Sequence, residues 1–76
     1  MSLLRKTSGR ECVKILCNKF WFTAVRQTGS HIILKKQTPE GTIGTVVPNH
    51  NELKLGTLKS VLKLGKVEEE EFAEYQ

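Results

Sequence analysis

A glycine between two segments of strand-forming residues is the feature that most constrains how this chain can fold. An aromatic and β-branched segment, residues 21–27, precedes Gly29, and an Ile-Ile-Leu run begins three residues after it. Aromatic and β-branched residues favour strands, and glycine readily adopts the positive φ that a tight hairpin turn requires. Residues 26–36 therefore predict a turn with Gly29 at positive φ, feeding a strand on which His31 stands close to solvent.

Hydrophobic spacing and turn residues predict the other elements. Ser8 and Glu11 fit a capping box, with Ser8 as the N-cap of the first helix. The predicted elements are a helix over residues 9–19, strands over 21–27, 30–36 and 42–47, a helix capped by Thr57 and ended by Gly65, and a short helix within 67–75. The expected fold is α+β, in the order α-β-β-β-α, with a three-stranded antiparallel sheet covered on one face and a short C-terminal helix.

The length of 76 residues corresponds to one domain. We expect that domain over residues 8–76, preceded by a flexible basic arm at residues 1–7. Cys12 and Cys17 are too few for a disulfide scaffold and lack CxxC spacing, which predicts reduced thiols partly buried in the first helix. No apolar run approaches the roughly 20 residues of a membrane span, and the first residues do not resemble a signal peptide. These features predict a cytoplasmic protein that has no membrane partner.

The charge is divided unevenly along the chain. All twelve Lys and Arg residues and three Glu residues lie within residues 1–66, a net charge of +9, whereas the last ten residues carry five Glu residues. A basic body of this kind indicates a polyanionic partner or substrate, of which nucleic acid is the commonest. The alternative is an ordinary solvated basic surface.

Few residues are available for catalysis. The chain has two histidines, His31 and His50, and no Asp, which excludes a His–Asp catalytic pair. The cysteines and histidines lack zinc-finger spacing, and there is no phosphate-binding glycine-rich loop. We therefore expect no metal and no cofactor.

A histidine on a basic surface is well suited to RNA cleavage. Histidine is the side chain best tuned for proton transfer near neutral pH, and RNA supplies its own nucleophile, the 2′-hydroxyl group. His31 is therefore the candidate general acid or base, and the alternative is a strand-end histidine bonded to its neighbours. His50 reads as a solvated loop residue. Lys59 and Lys63 either belong to an ordinary solvated helix face or contact phosphate. The helix N-terminus at Gly56 and Thr57, beside them, could bind phosphate through its free N–H groups.

Three segments, residues 26–31, 46–50 and 56–63, together resemble the HicA family of mRNA interferase toxins over roughly residues 8–75. The resemblance implies a fold similar to the double-stranded-RNA-binding domain, endoribonuclease activity on mRNA, and inhibition by an antitoxin of the HicB family. The family's catalytic histidine follows Gly-Ser, which corresponds to His31. Two positions depart from the family pattern. Trp21 stands where many relatives have glycine near the end of the first helix, and Ile32 stands where many have a second histidine.

The candidate histidine and the resemblance together imply a ribosome-independent mRNA endoribonuclease that is the toxin of a toxin–antitoxin pair. The alternatives are a non-catalytic RNA-binding module and a pure protein-interaction module. Two registers are considered for the hairpin, with either Arg26 or Val25 opposite His31. The candidate site residues are His31 for catalysis, Gly29 and Ser30 for the active-site turn, and Arg26, Lys35, Lys36, Gly56, Thr57, Lys59 and Lys63 for RNA binding.

Overall fold

The computed structural model describes residues 3–76, which form a three-stranded sheet with helices on one face. The strands lie in the order β1-β2-β3 and are antiparallel throughout. The expected α+β fold, resembling the double-stranded-RNA-binding domain, is confirmed. The elements are α1 (Gly9–Lys19), β1 (Thr23–Thr28), β2 (His31–Thr38), β3 (Gly41–Pro48), α2 (Leu55–Leu64) and α3 (Glu69–Ala73).

Helix α1 has the predicted bounds and the predicted cap. The Ser8 hydroxyl oxygen accepts a hydrogen bond from the Glu11 amide at 3.0 Å, which satisfies one of the free N–H groups of the first turn. Leu16 and Cys12 are fully buried on the apolar side of the helix. The predicted periodicity therefore describes the side of α1 that packs on the sheet.

The β1–β2 turn contains only Gly29 and Ser30. Gly29 has a φ of 60°, as expected, and Ser30 is not at positive φ, which is the pattern of a type II′ turn. The residue opposite His31 is Thr28, so both predicted registers are wrong. The pairing of β1 with β2 shifts between Ala24 and Arg26, where β1 bulges.

The junction between α1 and β1 also differs from the prediction. Trp21 was expected to begin the first strand, but it has a φ of 62°, and β1 begins only at Thr23. Helices commonly end on one left-handed residue, usually glycine, because a side chain there costs roughly 1–2 kcal/mol. This reversal lets the Phe22 amide bond to the Leu16 carbonyl oxygen at 3.1 Å and turns the buried Phe22 ring into the core.

Helix α2 begins two residues before the expected cap. Its N-cap is Lys54, whose carbonyl oxygen accepts the Leu58 amide at 2.9 Å, so Thr57 lies within the first turn and the predicted Thr57 cap is wrong. The predicted end at Gly65 is confirmed. The buried Thr45 hydroxyl of β3 donates to the Val61 carbonyl oxygen at 2.8 Å, which fixes α2 against the sheet.

Both ends of the described chain pack on the domain. Phe72 of α3 is fully buried, whereas Tyr75 is exposed and meets the Phe20 ring edge-on. In the described part of the predicted arm, residues 3–7, Leu4 is buried in the core, and Thr7 forms a β-bridge with Leu53. Residues 3–7 thus add to the packed structure, and the mobility of residues 1–7 stays a prediction. Within residues 3–76, no helix is long and apolar enough to cross a membrane.

Candidate functional site

His31 is the first residue of β2, at the end of the sheet where the turn, β3 and α1 meet. Thr28 pairs with it on one side and Pro48 on the other, and we call these three residues the His31 end of the sheet. The Asn49 amide donates to the Ser30 carbonyl oxygen at 2.6 Å, which ties the turn to the segment after β3. The backbone on both sides of His31 is therefore fixed, while its side chain is exposed.

Strand alternation determines which side chains share a face with His31. Ile32 packs on the core and Leu34 is fully buried, so His31 and Lys35 project from the opposite, helix-free face of the sheet. On the neighbouring strand, Arg26 is two residues from Thr28 and thus diagonal to His31, within the reach of a long side chain. We call this the outer face. Arg26 and His31 are neighbours on it, whereas Lys35 lies on the same face at the far end of β2.

Lys36 belongs to a different part of the molecule. It shares the parity of Leu34, and its ammonium nitrogen lies 6.0 Å from the centroid of the Trp21 ring and 5.5 Å from that of Phe22. Its position on β2 is five residues from His31, or roughly 17 Å along the strand. Lys35 and Lys36, which the sequence predicts as RNA contacts, therefore lie on opposite faces of the sheet. Both are at the end of the sheet far from His31, which we call the Trp21 end.

Lys59 and Lys63 lie on α2, in the helical layer behind the sheet. They are exposed and border a hollow of about 360 Å³ that is also lined by Glu68, Glu69 and Glu70. These carboxylates reduce the local attraction for an anion. The structure therefore separates the two lysines from the outer face on which His31 lies.

Gly56 and Thr57 are in the first turn of α2, which has no side-chain cap and no acidic residue. Thr57 and Pro48 line one hollow, so the start of α2 lies at the His31 end of the sheet. The first-turn amides and the helix dipole of α2 favour an anion there.

Gly9 is a residue of this region that sequence reasoning missed. A Cβ atom built on Gly9 would overlap the Pro48 carbonyl oxygen, because the start of α1 lies directly against the end of β3. The Gly9 amide donates to the His50 carbonyl oxygen at 2.8 Å, so His50 contributes through its backbone while its side chain is exposed. No signal in a single sequence distinguishes Gly9 from any other glycine that follows an N-cap.

Both cysteines lie on α1, Cys12 buried and Cys17 partly exposed. Cys12 is fully buried, and burial raises the pKa of its thiol to about 12, so it is a neutral core thiol. Cys12 and Cys17 are both unpaired, as predicted. Among residues 3–76, no three His, Cys, Asp or Glu side chains come together in a group that could hold a metal ion.

Comparison with known proteins identifies the family of this chain. Residues 9–66, from the start of α1 to just beyond α2, match the family model described as the HicA toxin of bacterial toxin–antitoxin systems. No curated protein and no solved structure matches the chain. Because the family match spans most of the 76 residues and includes every strand, the protein belongs to the HicA toxin family.

Proposed function

We propose that this HicA-family toxin is a ribosome-independent endoribonuclease that cuts mRNA in the cytoplasm without a cofactor, with His31 as general acid or base. The observation that supports this most directly is the placement of His31. Its imidazole is exposed, its backbone is paired on both sides, and Arg26 lies diagonal to it on the same face. A proton-transfer group needs this combination of access and fixed position.

The chemistry requires little beyond these groups. The 2′-hydroxyl group of RNA attacks the adjacent phosphorus, a proton leaves that hydroxyl, and a proton reaches the departing 5′ oxygen. His31 carries out one of these transfers, as base or as acid. Arg26 offers a guanidinium to the phosphate, on which negative charge accumulates during attack.

Phosphate binding on the outer face would orient the RNA strand. Lys35 lies four residues from His31 on the same side of β2, roughly 13 Å along the strand, a distance that a few nucleotides can span. Gly56 and Thr57 are candidate phosphate contacts at the His31 end. Lys36, Lys59 and Lys63 face other parts of the molecule, so they would contact RNA that extends beyond the nucleotides at His31.

The proposed partner is a HicB-type antitoxin that carries acidic groups. Residues 1–66 have a net charge of +9, and an acidic partner that covers the outer face would block access to His31. Complementary charge should also speed association at low ionic strength, because exposed charges steer the encounter of two proteins.

The decisive variant is His31→Ala, assayed for cleavage of mRNA transcripts and for growth arrest on expression. A single general acid–base group typically contributes about 10²–10⁴-fold, so cleavage should fall below detection on a gel. RNA affinity and melting temperature should stay close to those of the parent, since the exposed imidazole contributes little buried area.

His50→Ala is the matched control, because it removes an exposed imidazole while leaving the backbone carbonyl that binds Gly9. It should cleave RNA like the parent protein. Cleavage that survives His31→Ala and disappears in His50→Ala would refute the assignment of His31. RNA binding without cleavage by the parent protein would instead favour a non-catalytic RNA-binding module.

A second experiment tests the partner. Expression of the protein alone should arrest growth, and co-expression with an adjacent acidic reading frame should restore it. Equal growth in the two cultures would contradict the toxin activity proposed for this chain.

A further inference from the structure

Trp21 is the most exposed large apolar residue of the described chain, and the outer-face chemistry at His31 does not use it. Its side chain is 78% exposed, although an indole ring buries more apolar area than almost any other side chain when it has a partner. It also stands at a φ of 62°, where an L residue is disfavoured. The fold thus holds a large ring in solvent on a backbone conformation that suits glycine better.

The surroundings of this ring are basic and polar. A hollow of about 360 Å³ is bordered by Trp21 and by Thr23, Val25, Lys35, Lys36 and Gln37, with no acidic residue among them. The Lys36 ammonium lies over both the Trp21 and Phe22 rings, at 6.0 and 5.5 Å from their centroids. Because Phe22 is buried in the core, Lys36 links the exposed indole to a fixed part of the domain.

We propose that Trp21 is a stacking platform for an unpaired base of the RNA, with Lys35 and Lys36 binding the phosphates beside it. An aromatic face next to cations is the combination that single-stranded nucleic acid recognises, since each nucleotide presents a flat base and a charged phosphate. The proposal rests on the ribonuclease function proposed above and specifies how the substrate is held. It requires a single-stranded substrate, because the bases inside a duplex are already stacked on one another.

The position of Trp21 relative to His31 fits this role. Lys35 borders the Trp21 hollow and lies on the outer face with His31, four residues away along β2. An RNA strand running along β2 would place one base at Trp21 and present its sugar–phosphate a few nucleotides further at His31. Binding energy at Trp21 would then orient the bond that is cut.

The apolar core of a protein interface fits this hollow less well than RNA does. The cores of protein interfaces are depleted of charged residues, whereas here a single ring is bordered by two lysines and two polar side chains. The antitoxin is therefore the competing occupant that the experiment has to separate from RNA.

The experiment uses the fluorescence of Trp21, the chain's single tryptophan. The RNA carries methylated 2′-hydroxyl groups, so that it stays intact whether or not His31 is the catalytic group. A short single-stranded RNA should quench this fluorescence on binding, and the same sequence annealed to its complement should quench it far less. Trp21→Gly should lower the affinity for the single strand by about 5- to 150-fold, the range that loss of one stacked base produces, and Trp21→Phe should recover part of that loss. Leu3→Ala, which removes an exposed apolar side chain elsewhere, should leave the affinity unchanged.

Three results would overturn the inference: unchanged fluorescence when RNA binds, equal quenching by the duplex, or unchanged RNA affinity in Trp21→Gly. Weakened binding of the antitoxin with unchanged RNA affinity would show that Trp21 is a protein contact instead. These readouts do not depend on cleavage. If the protein binds RNA but His31 proves dispensable for cutting, the function assigned to His31 fails while the stacking of a base on Trp21 is still measured.

Discussion

The two ends of the sheet differ in which type of residue occupies a backbone position that favours glycine. At the His31 end, glycines occupy the positions where the backbone demands them: Gly29 has a φ of 60°, and Gly9 lies against the Pro48 carbonyl. At the Trp21 end, almost the same φ, 62°, is adopted by a large aromatic residue. The His31 end therefore holds an exposed imidazole on relaxed backbone, while the Trp21 end holds an exposed ring on strained backbone.

This difference has a physical meaning. Proton transfer needs a donor and an acceptor at fixed positions, so a relaxed backbone held by paired strands suits an imidazole. A stacking surface needs only an accessible flat face, and it tolerates a backbone conformation that would be unfavourable elsewhere. Substitution of the residue at these backbone positions, at either end of the sheet, tests this difference.

The largest loss of stability is expected from Gly9→Ala. The added Cβ atom meets the Pro48 carbonyl oxygen and not a flexible side chain, so α1 or the end of β3 must shift. Overpacking of this kind typically costs 1–3 kcal/mol, and we expect about 3 kcal/mol because the obstacle is backbone. Urea unfolding measures this change.

Gly56→Ala is the matched control for that variant. Gly56 is also in the first turn of a helix, but a Cβ there meets no atom within 4 Å. Alanine should leave stability unchanged or raise it by up to about 1 kcal/mol, because it favours helix more than glycine does. Equal losses in the two variants would contradict the close approach of α1 to β3.

Gly29→Val should have the next largest effect. No atom lies within 4 Å of a Cβ built on Gly29, so the cost arises from the positive φ alone, about 2 kcal/mol for a β-branched residue. Any relaxation of the turn also displaces His31, so RNA cleavage should fall together with stability.

Gly29→Asn provides the comparison, since asparagine tolerates the left-handed region better than valine does. It should retain most of the stability and most of the cleavage activity. A Gly29→Val protein with full stability and full activity would contradict the hairpin geometry around His31.

The His31 end was largely predictable from the sequence because its signals are local. A capping serine, a turn glycine and the alternation of β2 each depend on neighbouring residues, and the structure places Ser8, Gly29 and His31 accordingly. The pairing of Thr28 with His31 follows from a two-residue turn of Gly29 and Ser30, so the error in predicting it was one of loop geometry. The shift in pairing farther along β1 was not predictable, because no turn residue marks the bulge at Val25. The requirement for glycine at position 9 arises from contact with Pro48, which is distant in sequence.

At the Trp21 end, the predicted start of the first strand at Trp21 was wrong. An aromatic followed by β-branched residues favours a strand, and this preference outweighed the need for α1 to end on a left-handed residue. The split of the predicted RNA contacts has a similar cause. Lys35 and Lys36 are adjacent in sequence, but strand alternation sends them to opposite faces, and the folding of α2 behind the sheet separates Lys63 from His31.

The dependence of RNA affinity on salt concentration tests whether the outer face binds RNA, as we propose. Each phosphate contact to a single strand contributes about 0.7 to the slope of log K against log salt concentration, so Arg26→Gln should reduce that slope by about this amount. With an RNA short enough to span only the outer face, Lys63→Gln is the matched control, because Lys63 lies in the helical layer beside three glutamates. Equal reductions in the two variants would indicate that the RNA contacts both layers.

The smallest effect on stability is expected from Trp21→Gly, at the Trp21 end of the sheet. Glycine removes the left-handed strain, roughly 1–2 kcal/mol, but it adds roughly 0.5–1 kcal/mol of chain entropy to be lost on folding. The exposed contact with the Lys36 ammonium, about 0.5–1 kcal/mol, is lost as well. These terms nearly cancel, so the free energy of unfolding measured in urea should change by less than about 1 kcal/mol. A loss above about 2 kcal/mol would mean that the indole stabilises the fold by packing. Trp21 would then have a structural role, and the proposed difference between the two ends of the sheet would be wrong.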